Sequence, residues 1–268
     1  MSKFVIAQIT DSHIVQKGDS WQGNKTIVDE RLKKVCTELN EKKPDVVIAT
    51  GDLVDVKEAY GYFKEITSNL TMPMFVIPGN HDDREAMKLA FSDKEYMPET
   101  GFIQYAIDDY PVRLIGLDTL VPGSPSGELD EERLDWLNAT LSSNREKPTI
   151  IFMHHFPFTI GHKIFDQIIC FAGDRFEKII GESPNVMAMF AGHYHHQVSS
   201  VFAGKPFFIA SSVAPSHKFS ADESQVIDME LKDPAITYHT WHEGKNHITS
   251  MTSNIVGETA NLIEYILD

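Results

Sequence analysis

Short apolar stretches recur along the chain at Phe4 to Ile9, Asp45 to Thr50, Met74 to Ile77, Thr149 to Met153 and Val186 to Phe190. Each is bounded by turn-forming residues, which reads as a buried strand. Between the first two the period changes. Val28, Leu32, Val35 and Leu39 are spaced 4, 3 and 4 apart, so they share one face of a helix that ends before Pro44. A second helix is expected over about residues 57–70. This β-α-β-α-β order predicts parallel strands joined by right-handed crossovers.

The middle of the chain changes character. Phe102 to Ile107 and Val112 to Leu117 flank Asp108-Asp109-Tyr110-Pro111, a hairpin signal. Asp130 is a helix N-cap followed by Glu131 and Glu132, with Leu134, Leu137 and Leu141 on one face. Residues 156–172 read as irregular and Asp174 to Ile180 as a short helix. Val198 to Phe202, Pro206 to Ala210, Gln225 to Leu231 and Ala235 to Trp241 read as strands, antiparallel for the most part. Residues 1–243 are expected to form one catalytic domain. Residues 244–268 are poorly patterned and read as a tail, a cap or an oligomer contact.

Composition narrows the function. With 268 residues and 42% hydrophobic content, the chain can bury one large core. No apolar run approaches the ~18–20 residues of a membrane span. Met1-Ser2-Lys3-Phe4 leads into a strand pattern without signal-peptide features, so a cytoplasmic protein without a membrane partner is expected. A net charge of −15 argues against long nucleic acids as partners, whose affinity comes from Lys and Arg on phosphates. The only cysteines, Cys36 and Cys170, lie outside any close-spaced motif and read as small buried apolar residues. Any metal must therefore use oxygen and imidazole ligands.

Those ligands are abundant at one kind of place. Asp11-Ser12-His13, Gly51-Asp52-Leu53-Val54-Asp55, Gly79-Asn80-His81-Asp82, His154-His155 and Gly192-His193-Tyr194-His195 each follow an apolar stretch. In an open α/β sheet the carboxyl ends of strands share one edge, where ligands bind. Asp11 and His13 are one residue apart, and alternate side chains of an extended segment point the same way. The same alternation puts His193 and His195 on one side, with Tyr194 and His196 on the other. Any one cluster would pass for a solvated turn, but five such turns would rarely all carry metal-ligand chemistry. The inventory suits two divalent cations and a binuclear metallohydrolase.

In order, the clusters read D-x-H, G-D-x-x-D, G-N-H-D, a strand-end His and G-H-x-H, spanning Asp11 to His195. This set resembles the calcineurin-like metallophosphoesterase superfamily. Ile77-Pro78-Gly79-Asn80-His81-Asp82-Asp83 and Phe152-Met153-His154-His155 are similar to its branch of class III cyclic-nucleotide phosphodiesterases and bacterial glycerophosphodiesterases. The resemblance implies an α/β fold, a β-sandwich of two mixed sheets flanked by helices in four αββα layers. It implies that Asp11, His13 and His195 hold one metal, that Asn80, His154 and His193 hold a second, and that Asp52 bridges them. Two divalent transition-metal ions, Fe, Mn, Zn or Co, suit such ligands, and a bridging carboxylate spans the ~3.5–4 Å of two-metal sites.

The resemblance further implies that Asp52 and His81 are catalytic, His81 stabilising or protonating the leaving oxygen. Asn80, His81 and His217 are expected on the substrate side. Asp55 and Asp82 fit either carboxylates that orient ligand imidazoles or turn caps. His155 stands beside the ligands without an assigned role. Phe156 replaces a proline of the H-H-P-P pattern and either offers a face to a nucleobase or packs as core. His162, His239, His242 and His247 read as ordinary structural or surface histidines. The expected activity is hydrolysis of small phosphodiesters, first of all 3′,5′-cyclic nucleotides such as cyclic AMP. The alternative is a glycerophosphodiesterase or broad small-diester hydrolase, and the remoter one a metal-binding scaffold without turnover. A homo-oligomer is compatible with the sequence. Walls formed by loops 14–24, 156–172 and 211–224 are expected to decide among substrates.

Overall fold

Two mixed β-sheets lie face to face in a computed structural model that describes residues 3–25, 27–217 and 229–255. The first sheet runs, edge to edge, through His247–Asn254, Ala235–His242, Lys3–Ile9, Val46–Thr50 and Met74–Ile77. Its last three strands are parallel, as the crossover pattern predicts, with Ala7 opposite Val47 and Ile48 opposite Phe75. Ala235–His242 joins the other side of Lys3–Ile9 in antiparallel fashion.

The second sheet runs through Val198–Phe202, Lys205–Ile209, Val186–Ala191, Thr149–Phe152, Arg113–Gly116 and Tyr105–Ile107. Its central strands are parallel and both edges are antiparallel, the predicted hairpin being one edge.

Period-2 alternation explains why the sheets stack. Ile150 and Phe152 enter the core shared with Ile6, Val47 and Phe190, whereas Ile151 and Met153 enter a second core with Leu134, Leu137 and Phe176. Helices close the outer faces. In Ile27–Lys42 the predicted stripe of Val28, Leu32, Val35 and Leu39 is fully buried, each side chain contributing about 1.5–3 kcal/mol. Tyr60–Thr67 packs beside it. Glu131–Ser143 and Gly173–Gly181 cover the second sheet. Asp130 caps the first of these, its carboxylate accepting from the Arg133 N–H at 3.0 Å. The four αββα layers implied by the resemblance are present, and Cys36 and Cys170 are buried free thiols.

Three details differ from the sequence reading. Arg84–Ala90 is a helix too short to show a stripe, started by the Asp83 carboxylate accepting from the Ala86 N–H. Within the stretch read as unpatterned, His247–Asn254 is an edge strand paired along its length with Ala235–His242. Its apolar residues, Ile248 and Met251, are three apart, out of step with a strand's period of two, so the pattern hides it. Of residues 244–268, expected as a tail, a cap or an oligomer contact, 256–268 lie outside the described residues. Of the strand expected over 225–231, Met229–Glu230 pairs with Ser216–His217, and 225–228 lie outside the described residues. Among the described residues no helix is long and apolar enough to cross a membrane.

The arrangement places the site. Three of the five polar clusters follow strands of the first sheet and two follow strands of the second, so the crevice lies where the two carboxyl edges meet.

Candidate metal centre

The ligand loops are not extended. Asp11, His13, Asp52, His193 and His195 have φ of 52, 47, 49, 71 and 60°, all left-handed. The shared direction of Asp11 and His13 thus comes from alternating left-handed residues rather than from a strand. Asp and His tolerate this region better than most residues, yet each such position costs of order 1–3 kcal/mol. Backbone pairing holds the first two loops together. Asp11 N donates to Gly51 O at 3.0 Å, His13 N to Asp52 O at 3.0 Å, and Ile14 N to Leu53 O at 3.1 Å. Where loops cross, only glycine fits. A Cβ on Gly192 would strike Thr10 Oγ1 and Asp11 Oδ2, and one on Gly51 would strike the His154 ring.

Two clusters of donors share one carboxylate. His195 Nε2 lies 3.3 Å from Asp11 Oδ1 and 3.2 Å from His13 Nε2. Across the crevice, His154 Nε2 lies 3.2 Å from Asn80 Oδ1, with the His193 ring 5.1 Å from the His154 ring. Asp52 Oδ2 sits between, 3.7 Å from His13 Nε2 and 3.4 Å from His154 Nε2. Its other oxygen accepts from the His81 N–H at 2.8 Å.

Each imidazole has one nitrogen already committed. His13 Nδ1 meets Asp55 Oδ1 at 3.1 Å, His154 Nδ1 meets Thr50 O at 2.7 Å, His195 Nδ1 meets Pro215 O at 3.0 Å, and His193 Nε2 meets Ile168 O at 3.1 Å. Carbonyls and carboxylates only accept, so these nitrogens donate and the opposite ones are left for a proton or a cation. Asp11 Oδ1 is buried and has no hydrogen-bond partner. Burial opposes charge on His154, but Asp52 outweighs it and raises the ring to about 9. Burial, with the His154 charge beside it, drives His193 down to about 3. A divalent cation would replace the protons that the carboxylates draw in, and would satisfy the orphaned oxygen. Among the described residues, groups able to hold two metal ions are therefore present, with donors that suit Fe, Mn, Co or Zn.

His81 stands at the mouth. Its Nδ1 is 2.9 Å from Asp55 Oδ1, the same oxygen that holds His13. Burial lowers the His81 imidazole, but the Asp55 hydrogen bond and the Asp52 charge outweigh it and raise it to about 9. A crevice of about 210 Å³ opens beside it, walled by Trp21, Pro125, Phe165, Ile168 and His217. All three loops expected as walls contribute, although residues 218–224 lie outside the described residues. The His217 ring stacks 4.5 Å from that of His195, and burial lowers it to about 2.

Of the two readings of Phe156, the core one holds. It is fully buried behind His193, against Phe158 and Tyr194. Phe165 and Trp21 supply the aromatic walls; both sit in elements of two or three residues, too short to leave a periodic pattern. Asp82 contacts no imidazole; it accepts from Gly79 N, Leu53 N and Tyr60 Oη and ties those turns together. Asp55 alone orients imidazoles. His155 is buried, its Nδ1 2.8 Å from Thr119 Oγ1 and its Nε2 without a partner.

Comparisons with known proteins agree with this geometry. The model of the calcineurin-like phosphoesterase family matches residues 4–197, which include all five clusters. A protein of Arcobacter nitrofigilis named "Probable glycerophosphodiester phosphodiesterase GpdQ" is 33% identical over 258 residues, 94% of this chain and 93% of that protein. The Escherichia coli "3′,5′-cyclic adenosine monophosphate phosphodiesterase CpdA" is 28% identical over 216 residues, 80% of this chain and 77% of that one. A dimetal phosphatase of Danio rerio shares the fold, with a TM-score of 0.68 at 13% identity over 94% of this chain and 96% of that one. The ligand clusters, the two facing sheets and the matched span lead to one conclusion: the chain belongs to the calcineurin-like phosphoesterase family.

Proposed function

We propose that this protein is a metal-dependent phosphodiesterase that hydrolyses small phosphodiesters at a pair of divalent transition-metal ions. One observation carries the reading. A single oxygen of Asp52 faces both donor clusters, while the buried Asp11 Oδ1 has no hydrogen-bond partner. In this reading Asp11, His13 and His195 would hold one ion and Asn80, His154 and His193 the other, with Asp52 shared between them. Bound there, the cations supply Lewis acidity toward a water molecule and the phosphate oxygens.

The remaining steps fall to the chain. His81, kept protonated by Asp55, donates its proton to the departing alkoxide oxygen. Asn80 and His217 both line the crevice, where they would meet the substrate. A net charge of −15 repels long polyanions, which leaves small diesters and argues against long nucleic acids. A cytoplasmic place of action goes with such substrates.

The finer reading is a 3′,5′-cyclic nucleotide such as cyclic AMP. It is supported by the aromatic walls Trp21 and Phe165, since bases stack on aromatic faces for ~1–3 kcal/mol each. Glycerophosphodiesters are the second reading, favoured by the 33% identity along 94% of the chain with the Arcobacter protein. Side-by-side turnover of cyclic AMP, glycerophosphoethanolamine and bis(4-nitrophenyl) phosphate by manganese-loaded protein decides between them. No hydrolysis of any of the three would reject the activity itself.

A further inference from the structure

Gln8 is a fully buried amide in the strand Lys3–Ile9, surrounded by apolar core. Its side-chain nitrogen donates to Thr50 Oγ1 at 2.9 Å and to Ala191 O at 2.9 Å. Thr50 ends the strand that leads into Asp52, and Ala191 ends the strand that leads into His193 and His195. Gln8 itself lies just before Asp11 and His13. One side chain thus ties the roots of three ligand loops and crosses from the first sheet to the second.

That crossing matters because each donor cluster draws on both sheets. Asp11 and His13 come from the first sheet and meet His195 from the second; Asn80 comes from the first and meets His154 and His193 from the second. Apolar packing between sheets is non-directional. A hydrogen-bonded amide is directional, and in a buried setting it is costly to break.

The amide is itself held. Its Oε1 accepts from His239 Nε2 at 3.0 Å, which leaves His239 Nδ1 to accept from Ser250 Oγ at 2.7 Å. The His239 ring lies flat on Phe190, 3.6 Å between centroids and 12° between planes. Burial lowers His239 to about 3, so it stays neutral and keeps this tautomer. From Thr50 the network continues to the ligands. Thr50 O accepts from His154 Nδ1 at 2.7 Å, and Thr10 Oγ1, 3.2 Å from that carbonyl oxygen, donates its one proton to Asp11 Oδ2 at 2.7 Å.

We propose that Gln8 is a positioning residue that fixes the separation of the two sheet edges and thereby the geometry of both metal positions, with His239 locking its amide. The inference rests on the two-metal reading above. Gln8→Met keeps the length and loses every hydrogen bond; Thr50→Val keeps the shape and loses one acceptor. Leu39→Ala is the control, a core loss in helix Ile27–Lys42 outside the network.

Each variant is titrated with Mn²⁺ alone, its paramagnetic resonance spectrum is recorded, and its metal-free melting temperature is measured. Gln8→Met is expected to lower Mn²⁺ affinity by about ten-fold or more and to alter the exchange-coupled signal of the ion pair. Thr50→Val should do the same to a smaller degree. Leu39→Ala should lose melting temperature yet keep wild-type affinity and spectrum. Wild-type affinity and spectrum in Thr50→Val, and in Gln8→Met where it folds, would overturn the inference. A wild-type protein that binds no manganese pair would overturn the two-metal reading, and this inference with it.

Discussion

The two donor clusters differ in charge and in exposure. The first has a carboxylate of its own, Asp11, fully buried, besides its share of Asp52. The second has only its share of Asp52; Asn80 is neutral and partly exposed, and His193 is neutral through burial. A cation in the first position would meet two carboxylates, and one in the second a single carboxylate. Coulomb attraction in a buried site makes that difference large. On the proposed assignment the first position keeps its ion and the second exchanges.

The strongest test removes both ions. Exhaustive chelation should lower diester hydrolysis by more than about 10³-fold, and Mn²⁺ should restore it in two separable steps. Full turnover by a verified metal-free preparation would end the proposal, and a single restoring step would end the asymmetry.

Next come the carboxylates. Asparagine tolerates the left-handed backbone at both positions, so Asp→Asn changes charge with little added strain. Asp52→Asn leaves the second position without a carboxylate, and metal content should fall from two ions per chain to one. Asp11→Asn leaves one carboxylate at each position, and the two binding steps should merge. Elemental analysis and equilibrium dialysis read both outcomes; two tightly held ions in Asp52→Asn would reject the bridge.

His81→Ala separates chemistry from binding. Metal content should stay at two, while turnover of diesters with poor leaving groups should drop by about 10²-fold. The loss should shrink with a 4-nitrophenolate leaving group, which needs no proton. Equal losses for both substrate types would replace proton donation by charge stabilisation.

The smallest effect concerns Asp55, which serves His13 and His81 together. The folded His81 pKa is raised to about 9, so the donor is charged at neutral pH and loses its proton as pH climbs toward that value. Asp55→Asn removes a cause of the rise. The alkaline limb of the kcat profile should then move to lower pH, with a few-fold loss near pH 7.5. An unmoved limb would show that Asp55 acts only on His13.

Much of the fold and of the candidate site is legible in the sequence. The helix of Val28, Leu32, Val35 and Leu39 follows from spacing, and the five polar clusters at strand ends mark the crevice. Other features resist a linear reading for physical reasons. Left-handed φ at Asp11 or His193 leaves no trace in side-chain order. Gln8 and His239 meet across 231 positions, and neither looks unusual alone. Phe156 and Phe165 are both buried in the second core, and only the fold shows that Phe165 also reaches the crevice wall. Asp55 and Asp82 look alike in the sequence as partners of imidazoles, and loop packing separates them.

The left-handed backbone at five of the proposed ligands also limits what the centre can be turned into. A redesign toward softer metals would call for cysteine, and one toward harder metals for longer carboxylates. Neither side chain is favoured at the φ of 47 to 71° found there, whereas Asp, Asn and His are. An exhaustive substitution library at these positions should therefore be filtered twice, first by folding yield and only then by metal preference. The alphabet open to the engineer, and to natural drift, is written by the main chain before coordination chemistry has any say.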